Sequence, residues 1–151
     1  MGFGVACQRA AEAWESEAAH IRGLRRRLER ELLEIPGARL FGAAAEARLP
    51  GTTLVGFSGA PGQLVAIGLD LEGICVSTGA ACTSGSLEPS PVLLALGVGS
   101  DVAAEGVRIS LGWTTTDADI DALLEVMPGI VARVRAAGDQ LPPAGARELV
   151  L

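Results

Sequence analysis

The sequence predicts an α+β fold in which a small, mostly antiparallel sheet packs on helices. Amphipathic helical patterns open and close the chain, and four short segments with strand patterns lie between them. The elements follow the order helix, strand, strand, helix, strand, loop, helix, strand, helix, without an internal repeat or a domain linker. At 151 residues the chain has the length of one ordinary domain.

The first half of the chain predicts two helices and three strands. A helix over residues 5–35 carries an apolar stripe at spacings of three and four, and Pro36-Gly37 ends it. Strands are expected at residues 38–41 and 52–57, followed by a helix over residues 63–71 with one apolar side and Gly73 at its C-terminal cap. Residues 74–77 form a short apolar segment, which predicts a buried strand. The two apolar sides consist of Ile21, Leu24, Leu28, Leu32 and Ile35, and of Leu64, Ile67 and Leu71.

The second half begins with an irregular loop over residues 78–89. Ser90-Pro91 opens a helix that stops at Gly97, and residues 107–111 form a strand with Arg108 and Ser110 on the face opposite its apolar residues. Thr116 caps a last helix, which Pro128-Gly129 should kink. Its buried face is expected to consist of Ile120, Leu123, Leu124, Met127, Ile130, Val131 and Val134. We expect one domain over residues 1–137 and a poorly ordered tail over residues 138–151.

Charge and composition exclude several classes of function. The net charge of −6 argues against nucleic acid as a partner, because phosphate binding needs a basic surface. The basic run Arg25-Arg26-Arg27 lies beside Glu29, Glu31 and Glu34, which indicates a solvated helix face. The sequence shows neither a signal peptide nor an apolar run of about 18 residues, so we expect no membrane span and a cytoplasmic location with reduced cysteines.

The chain contains no lysine, since all 12 of its basic residues are arginine. No side-chain amine is therefore present to form a Schiff base with a carbonyl cofactor.

Cys82 is the leading candidate for a reactive group. It lies among Gly79, Thr83, Ser84 and other small polar residues that leave a thiol accessible, and an accessible thiol reacts as its thiolate. The residues alone leave open the alternative that Cys82 is a small buried hydrophobic residue. For Cys75 and Cys7 the predicted role is packing.

Arg108 could bind a carboxylate through bidentate hydrogen bonds, although an exposed strand arginine is the simpler interpretation from the residues alone. His20 is expected on a helix surface. The six residues between Cys75 and Cys82 match no common zinc spacing, so no metal site is predicted.

The segment Ser77-Thr78-Gly79-Ala80-Ala81-Cys82-Thr83-Ser84-Gly85-Ser86-Leu87-Glu88-Pro89-Ser90 resembles the cysteine desulfurases, which are PLP enzymes of the class V aminotransferase fold. The similarity is to the group with the longer catalytic-cysteine loop. It continues through residues 92–97 and is renewed at Val107-Arg108-Ile109-Ser110-Leu111-Gly112-Trp113-Thr114-Thr115. Residues 3–137 resemble the C-terminal small domain of that family, whose fold is that of fold-type I PLP enzymes.

The resemblance implies roles for two residues. Cys82 matches the thiol that takes sulfur from L-cysteine as a persulfide, which leaves L-alanine. That sulfur then passes to an acceptor, such as an Fe-S scaffold protein, for Fe-S cluster or thio-cofactor synthesis. Arg108 matches the arginine that binds the substrate carboxylate.

The family's PLP-binding large domain, with its lysine, is not represented in these residues. We therefore expect no PLP bound covalently to this chain and no activity without a large PLP-binding domain or chain. The family forms dimers largely through that domain, so a homodimer is possible. A stand-alone sulfur carrier or interaction module, or an inactive relic, remains the alternative.

Overall fold

The computed structural model describes residues 2–78 and 89–139 as a three-stranded antiparallel sheet with a main helical layer on one face. The expected fold class is confirmed. The helices and strands in chain order are α1 (Gly2–Leu32), β1 (Ala38–Leu40), β2 (Thr52–Phe57), α2 (Gly62–Leu71), α3 (Pro91–Ala95), α4 (Ser100–Ala104), β3 (Gly106–Ser110) and α5 (Asp117–Asp139).

The sheet has the order β1-β2-β3, and both pairings are antiparallel. Val55 of β2 lies opposite Val107 of β3, and both are fully buried. Because side chains alternate between the two faces of a strand, this register also turns Phe57 and Ile109 toward the core. Helices α1, α2 and α5 cover this face.

The C-terminal half of α1 supplies one wall of the core. The expected stripe is buried from Ile21 to Leu32, and Leu28 is 0% exposed. The helix ends at Leu32, somewhat before the expected residue 35, and the chain turns at Gly37, whose φ of +75° favours glycine. Residues 2–17 lie beyond the core, and their side chains are exposed apart from the half-buried Ala13.

Helix α5 forms the opposite wall and follows the predicted pattern. Six of the seven expected residues are buried, and Leu124 packs against them half-buried. At its start the Thr116 amide donates to Asp119 Oδ2 at 2.8 Å, and the Asp119 amide donates back to Thr116 Oγ1 at 3.4 Å. The Thr116 amide and the Thr116 hydroxyl both donate to Asp119 Oδ2, and these two bonds lower the pKa of Asp119. The helix continues through Pro128 to Asp139, and residues 140–151 of the expected tail lie outside the described residues.

The apolar side expected for α2 is present but faces away from the core. Leu64, Ile67 and Leu71 are exposed, the last by 82%, whereas Val65 and Leu69 are fully buried. Gly62 permits this orientation, since a Cβ there would lie 2.5 Å from the Gly106 carbonyl oxygen. This close approach brings the start of α2 against β3. Gly73 ends the helix as predicted, with a φ of +80°.

The basic run on α1 is not a uniformly solvated face, which corrects the sequence interpretation. Arg25 is buried, and its Nη1 lies 3.8 Å from Glu29 Oε1. Glu29 is itself buried and accepts two hydrogen bonds from Arg48, at 2.5 and 3.3 Å. Sequence periodicity could not reveal this cluster because Arg48 comes from the loop before β2.

Candidate functional site

The candidate site lies on the second face of the sheet, opposite the main core. Arg108 is half-buried there and pairs across the strands with Leu54 of β2. The alternation predicted for residues 107–111 is confirmed, because Val107 and Ile109 are buried on the core face. Arg108 thus projects from a strand paired within the sheet toward the face that the main helices leave uncovered.

Ser77 joins the free edge of β3 at Arg108. The Arg108 amide donates to the Ser77 carbonyl at 2.6 Å, and the Ser77 amide donates to the Arg108 carbonyl at 3.0 Å. This pair forms an isolated antiparallel bridge in place of the strand expected at residues 74–77. The bridge fixes the last residues before segment 79–88 directly beside Arg108.

Helix α3 attaches the other end of that segment to the same face. Leu93 is fully buried, and its Cδ1 lies 3.0 Å from the position that a Cβ on Gly106 would take. Gly106 and Arg108 are two residues apart on one strand and therefore share a face. Ser90, at the start of α3, is also buried. Segment 79–88 consequently leaves and rejoins the described fold on the side of the sheet that carries Arg108.

Cys82, the predicted reactive thiol, lies outside the described residues. The other two cysteines do not have the packing roles expected of them, since Cys7 and Cys75 are both exposed. Cys75 precedes the Ser77 bridge in a segment that forms no strand ladder, and Cys7 lies on the part of α1 beyond the core. The apolar residues next to Cys7 and Cys75 in the sequence did not predict this exposure, because burial depends on what packs over each segment.

The remaining sequence candidates stay outside the site. His20 is exposed on α1 as predicted, and its Nε2 donates to the Thr115 carbonyl at 3.2 Å. Among the described residues, no cluster of His, Cys, Asp and Glu has the arrangement to hold a metal ion. Across residues 2–78 and 89–139, no helix is both long enough and apolar enough to span a membrane.

Two contributors to the site were not predicted from the sequence. Ser77 pairs with a residue 31 positions later, and no local pattern reveals so distant a partner. Leu93 was expected in a helix, but its packing against Gly106 depends on α4 (Ser100–Ala104) returning the chain to the sheet. Helix α4 itself was missed because five residues are too few to display a helical period.

The model of the aminotransferase class-V family matches residues 2–123, which include Arg108, Ser77 and the segment between them. The chain belongs to the class-V aminotransferase family. The resemblance noted in the sequence is thereby confirmed at the level of the family.

Among individual proteins, this class-V aminotransferase chain is similar to cysteine desulfurases. It is 45% identical to the IscS-like cysteine desulfurase of Mycobacterium tuberculosis over 97% of the chain and 37% of that protein. It is 43% identical to a cysteine desulfurase of Gluconacetobacter diazotrophicus over 89% of the chain and 34% of that protein. A solved NifS-like protein from Rickettsia africae superimposes with a TM-score of 0.74 at 34% identity, over 85% of the chain and 33% of that structure.

The chain spans about a third of the length of the curated relatives that it matches. This class-V aminotransferase chain contains no lysine, so its residues provide no amine to anchor PLP. A lysine that could form a Schiff base with PLP is therefore not among these 151 residues.

Proposed function

We propose that this chain is the sulfur-accepting part of a cysteine desulfurase, in which Cys82 takes sulfur from L-cysteine and Arg108 binds the substrate carboxylate. The observation that carries the proposal is the Ser77–Arg108 bridge, which ties the segment bearing Cys82 to the strand bearing the arginine. Similarity to cysteine desulfurases over 89–97% of the chain supports the same reaction class.

Arg108 suits the binding of a small carboxylate. A guanidinium group offers two parallel N–H donors in the geometry of a carboxylate, and such charge-assisted bonds are stronger than neutral ones. The backbone of Arg108 is held on both sides, by β2 through the sheet register and by Ser77 through the bridge. A rigid backbone orients the substrate relative to the incoming thiol.

Cys82 is the proposed acceptor because chain connectivity keeps it near Arg108. It follows Ser77 by five residues, and five extended residues span at most about 18 Å. The Cys82 thiolate attacks the sulfur of L-cysteine, so that an S–S bond forms and the Cβ–S bond of the substrate breaks. The electron pair left on Cβ takes up the substrate's thiol proton, which yields L-alanine and a persulfide on Cys82.

The proposed reaction also requires a cofactor and a sulfur acceptor, which other domains or proteins provide. PLP, held by a large PLP-binding domain or chain, supplies the electron sink that weakens the Cβ–S bond. The persulfide then passes to an acceptor such as an Fe-S scaffold protein, in a reducing cytoplasm that keeps the thiol available.

The proposal is tested with a chimera that joins the upstream two-thirds of the M. tuberculosis relative to Gly2 of this chain. With PLP, L-cysteine and a thiol reductant that releases the persulfide sulfur as sulfide, the chimera should form alanine and sulfide in equal amounts, whereas the 151-residue chain alone should form neither. Turnover by the chain alone would contradict the proposed division of roles. If the chimera is inactive but a persulfide donor loads sulfur onto Cys82, a stand-alone carrier is favoured. If the chimera is inactive and Cys82 is not loaded, the chain is an inactive relic.

Replacement of Arg108 by glutamine in the chimera should raise the KM for L-cysteine about 10- to 100-fold. One charge-assisted contact with the carboxylate is worth about 1.5–3 kcal/mol, and this contact exists in the bound ground state. Steady-state alanine formation measures the effect. Arg133→Gln is the matched control, because Arg133 is an exposed arginine on α5 and should leave KM unchanged. Equal KM values for wild type and Arg108→Gln would remove Arg108 from the substrate site.

A further inference from the structure

The second face of the sheet carries a small apolar cluster that is separate from the main core. A Cβ on Gly106 would lie 3.0 Å from Leu93 Cδ1 and 3.7 Å from Leu54 Cδ1. The same position is 3.3 Å from the Ala103 carbonyl oxygen, so the missing side chain of Gly106 leaves room for these residues to meet. Leu93 and Ala103 are buried, yet neither belongs to the main core. These four residues are named the minor cluster.

Helix α3 (Pro91–Ala95) contributes one buried side chain to the fold. Leu93 is fully buried, whereas its neighbours Val92 and Leu94 are 64% and 43% exposed. A helix of five residues has little stability of its own in water, so its position depends on the packing of its apolar side chains. The docking of α3 on the sheet therefore depends on Leu93 in the minor cluster.

The minor cluster adjoins Arg108. Leu54 is the cross-strand partner of Arg108, and Gly106 lies two residues before Arg108 on the same face of β3. Two residues of a strand span about 7 Å, so Leu93 packs within about that distance of the arginine along β3. The minor cluster thus fixes α3 beside the candidate substrate-binding residue.

The segment that carries Cys82 is attached at its two ends by different contacts. The Ser77 bridge fixes the first end, and Leu93 fixes the second, with 15 residues between them. Without Leu93 the next residue of the sheet is Gly106, and 28 residues then lie between the fixed points. The effective concentration of a tethered group falls with about the −3/2 power of tether length, so release of α3 should lower that of Cys82 at this face about 2.5-fold.

We propose that Leu93, through its packing on Gly106, is a positioning residue that keeps the Cys82 thiol close to Arg108 for sulfur transfer. The part of this inference that concerns the reaction rests on the proposed function, whereas the part that concerns the position of the thiol does not. Leu93 acts through the thiol and not on the substrate carboxylate. Its replacement should therefore lower kcat and leave the KM for L-cysteine unchanged.

The position of the thiol is measured in the free chain, without cofactor or substrate. Ser110→Cys places a second thiol on the face of Arg108, two residues further along β3, where the side chain is exposed. Cys7→Ser and Cys75→Ser remove the other two thiols. In a buffer of oxidised and reduced glutathione, the equilibrium constant of the disulfide between Cys82 and the introduced thiol gives the effective concentration of Cys82 at this face.

Leu93→Asp should lower this effective concentration at least about 2.5-fold, because a fully buried apolar site cannot accommodate an unpaired carboxylate and α3 is released. Leu94→Asp is the matched control on the exposed side of the same helix and should leave the value unchanged. Leu93→Met keeps an apolar side chain of similar volume and should retain the wild-type value. Equal effective concentrations in Leu93→Asp and wild type would overturn the proposal.

Thermal unfolding verifies that the main core is intact in these variants. Leu93 lies outside that core, so Leu93→Asp should still unfold in one cooperative transition. If Leu93→Asp does not fold, Leu93→Ala replaces it in both measurements, because this change leaves a cavity in the minor cluster without burying a charge.

The chimera measures the effect on the reaction. Leu93→Asp should lower kcat for alanine formation at least about 2.5-fold at an unchanged KM, and Leu94→Asp should change neither constant. A wild-type kcat in Leu93→Asp would overturn the role of Leu93 in sulfur transfer. If the unsubstituted chimera forms no alanine while the effective concentration of Cys82 still depends on Leu93, the proposed function fails and the positioning of the thiol is confirmed.

Discussion

Replacement of Cys82 by serine in the chimera should lower alanine formation from L-cysteine by at least about 10³-fold, with little change in KM. Serine keeps the size of the side chain. Its hydroxyl, however, is a far weaker nucleophile at neutral pH than a thiol, which is partly ionised because its ordinary pKa is about 8.5. The loss should therefore appear in kcat, since the thiol acts on the reacting sulfur and not on the substrate carboxylate.

Cys75 is the matched control for this substitution. It is an exposed cysteine seven positions earlier in the sequence, and Cys75→Ser should retain full activity. Mass spectrometry of the chimera after a single turnover should find one added sulfur on Cys82 and none in the Cys82→Ser variant. Retained activity in Cys82→Ser, or transfer of the added sulfur to Cys75, would disprove the assignment of the acceptor.

Glu29→Gln should destabilise the free chain by about 3–5 kcal/mol, because it leaves the buried Arg25 and the half-buried Arg48 without their carboxylate. For a domain of this size, such a loss lowers the melting temperature by roughly 10 °C. Thermal unfolding followed by circular dichroism measures the change. Glu31→Gln is the control on the same helix, since Glu31 is partly exposed in its pairing with Arg27 and should cost no more than about 1 kcal/mol.

The same carboxylate should give the fold a defined acid sensitivity. Burial by itself would raise the pKa of Glu29, but the hydrogen bonds from Arg48 and the charges of Arg48 and Arg25 outweigh burial and hold the pKa below its ordinary 4.5. A carboxyl whose pKa is lower in the folded state contributes its full stabilisation above about pH 4.5 and loses it as the pH falls further. Glu29→Gln should flatten this part of the stability profile, and an unchanged profile would exclude Glu29 as its source.

The sequence identified most of the regular structure because local patterns determine it. β2 (Thr52–Phe57) has the predicted bounds, and the buried face of α5 follows its spacings of three and four. Of the strand expected at residues 74–77, only Ser77 pairs with the sheet, and helix α4 was not predicted. Both are short segments in which the apolar period has too few residues to be read.

Burial of individual side chains was less predictable than the elements that carry them. Leu71 lies on an apolar helix side yet is exposed, whereas Arg25 lies in a charged run yet is buried. The local sequence assigns a residue to a face of its helix. Whether that face is covered depends on segments distant along the chain, here β3 against Gly62 and Arg48 against Glu29.

By itself, the sequence determined the α+β class, the helix and strand patterns, the resemblance carried by residues 77–90 and the absence of any lysine. Those properties depend on local spacing and on residue identity, which need no tertiary contact. Only the tertiary structure decided that Ser77 pairs with Arg108, that Leu93 closes the same face and that residues 2–17 of α1 lie beyond the core. These are long-range juxtapositions, and their energies come from surfaces that meet only after the chain has folded.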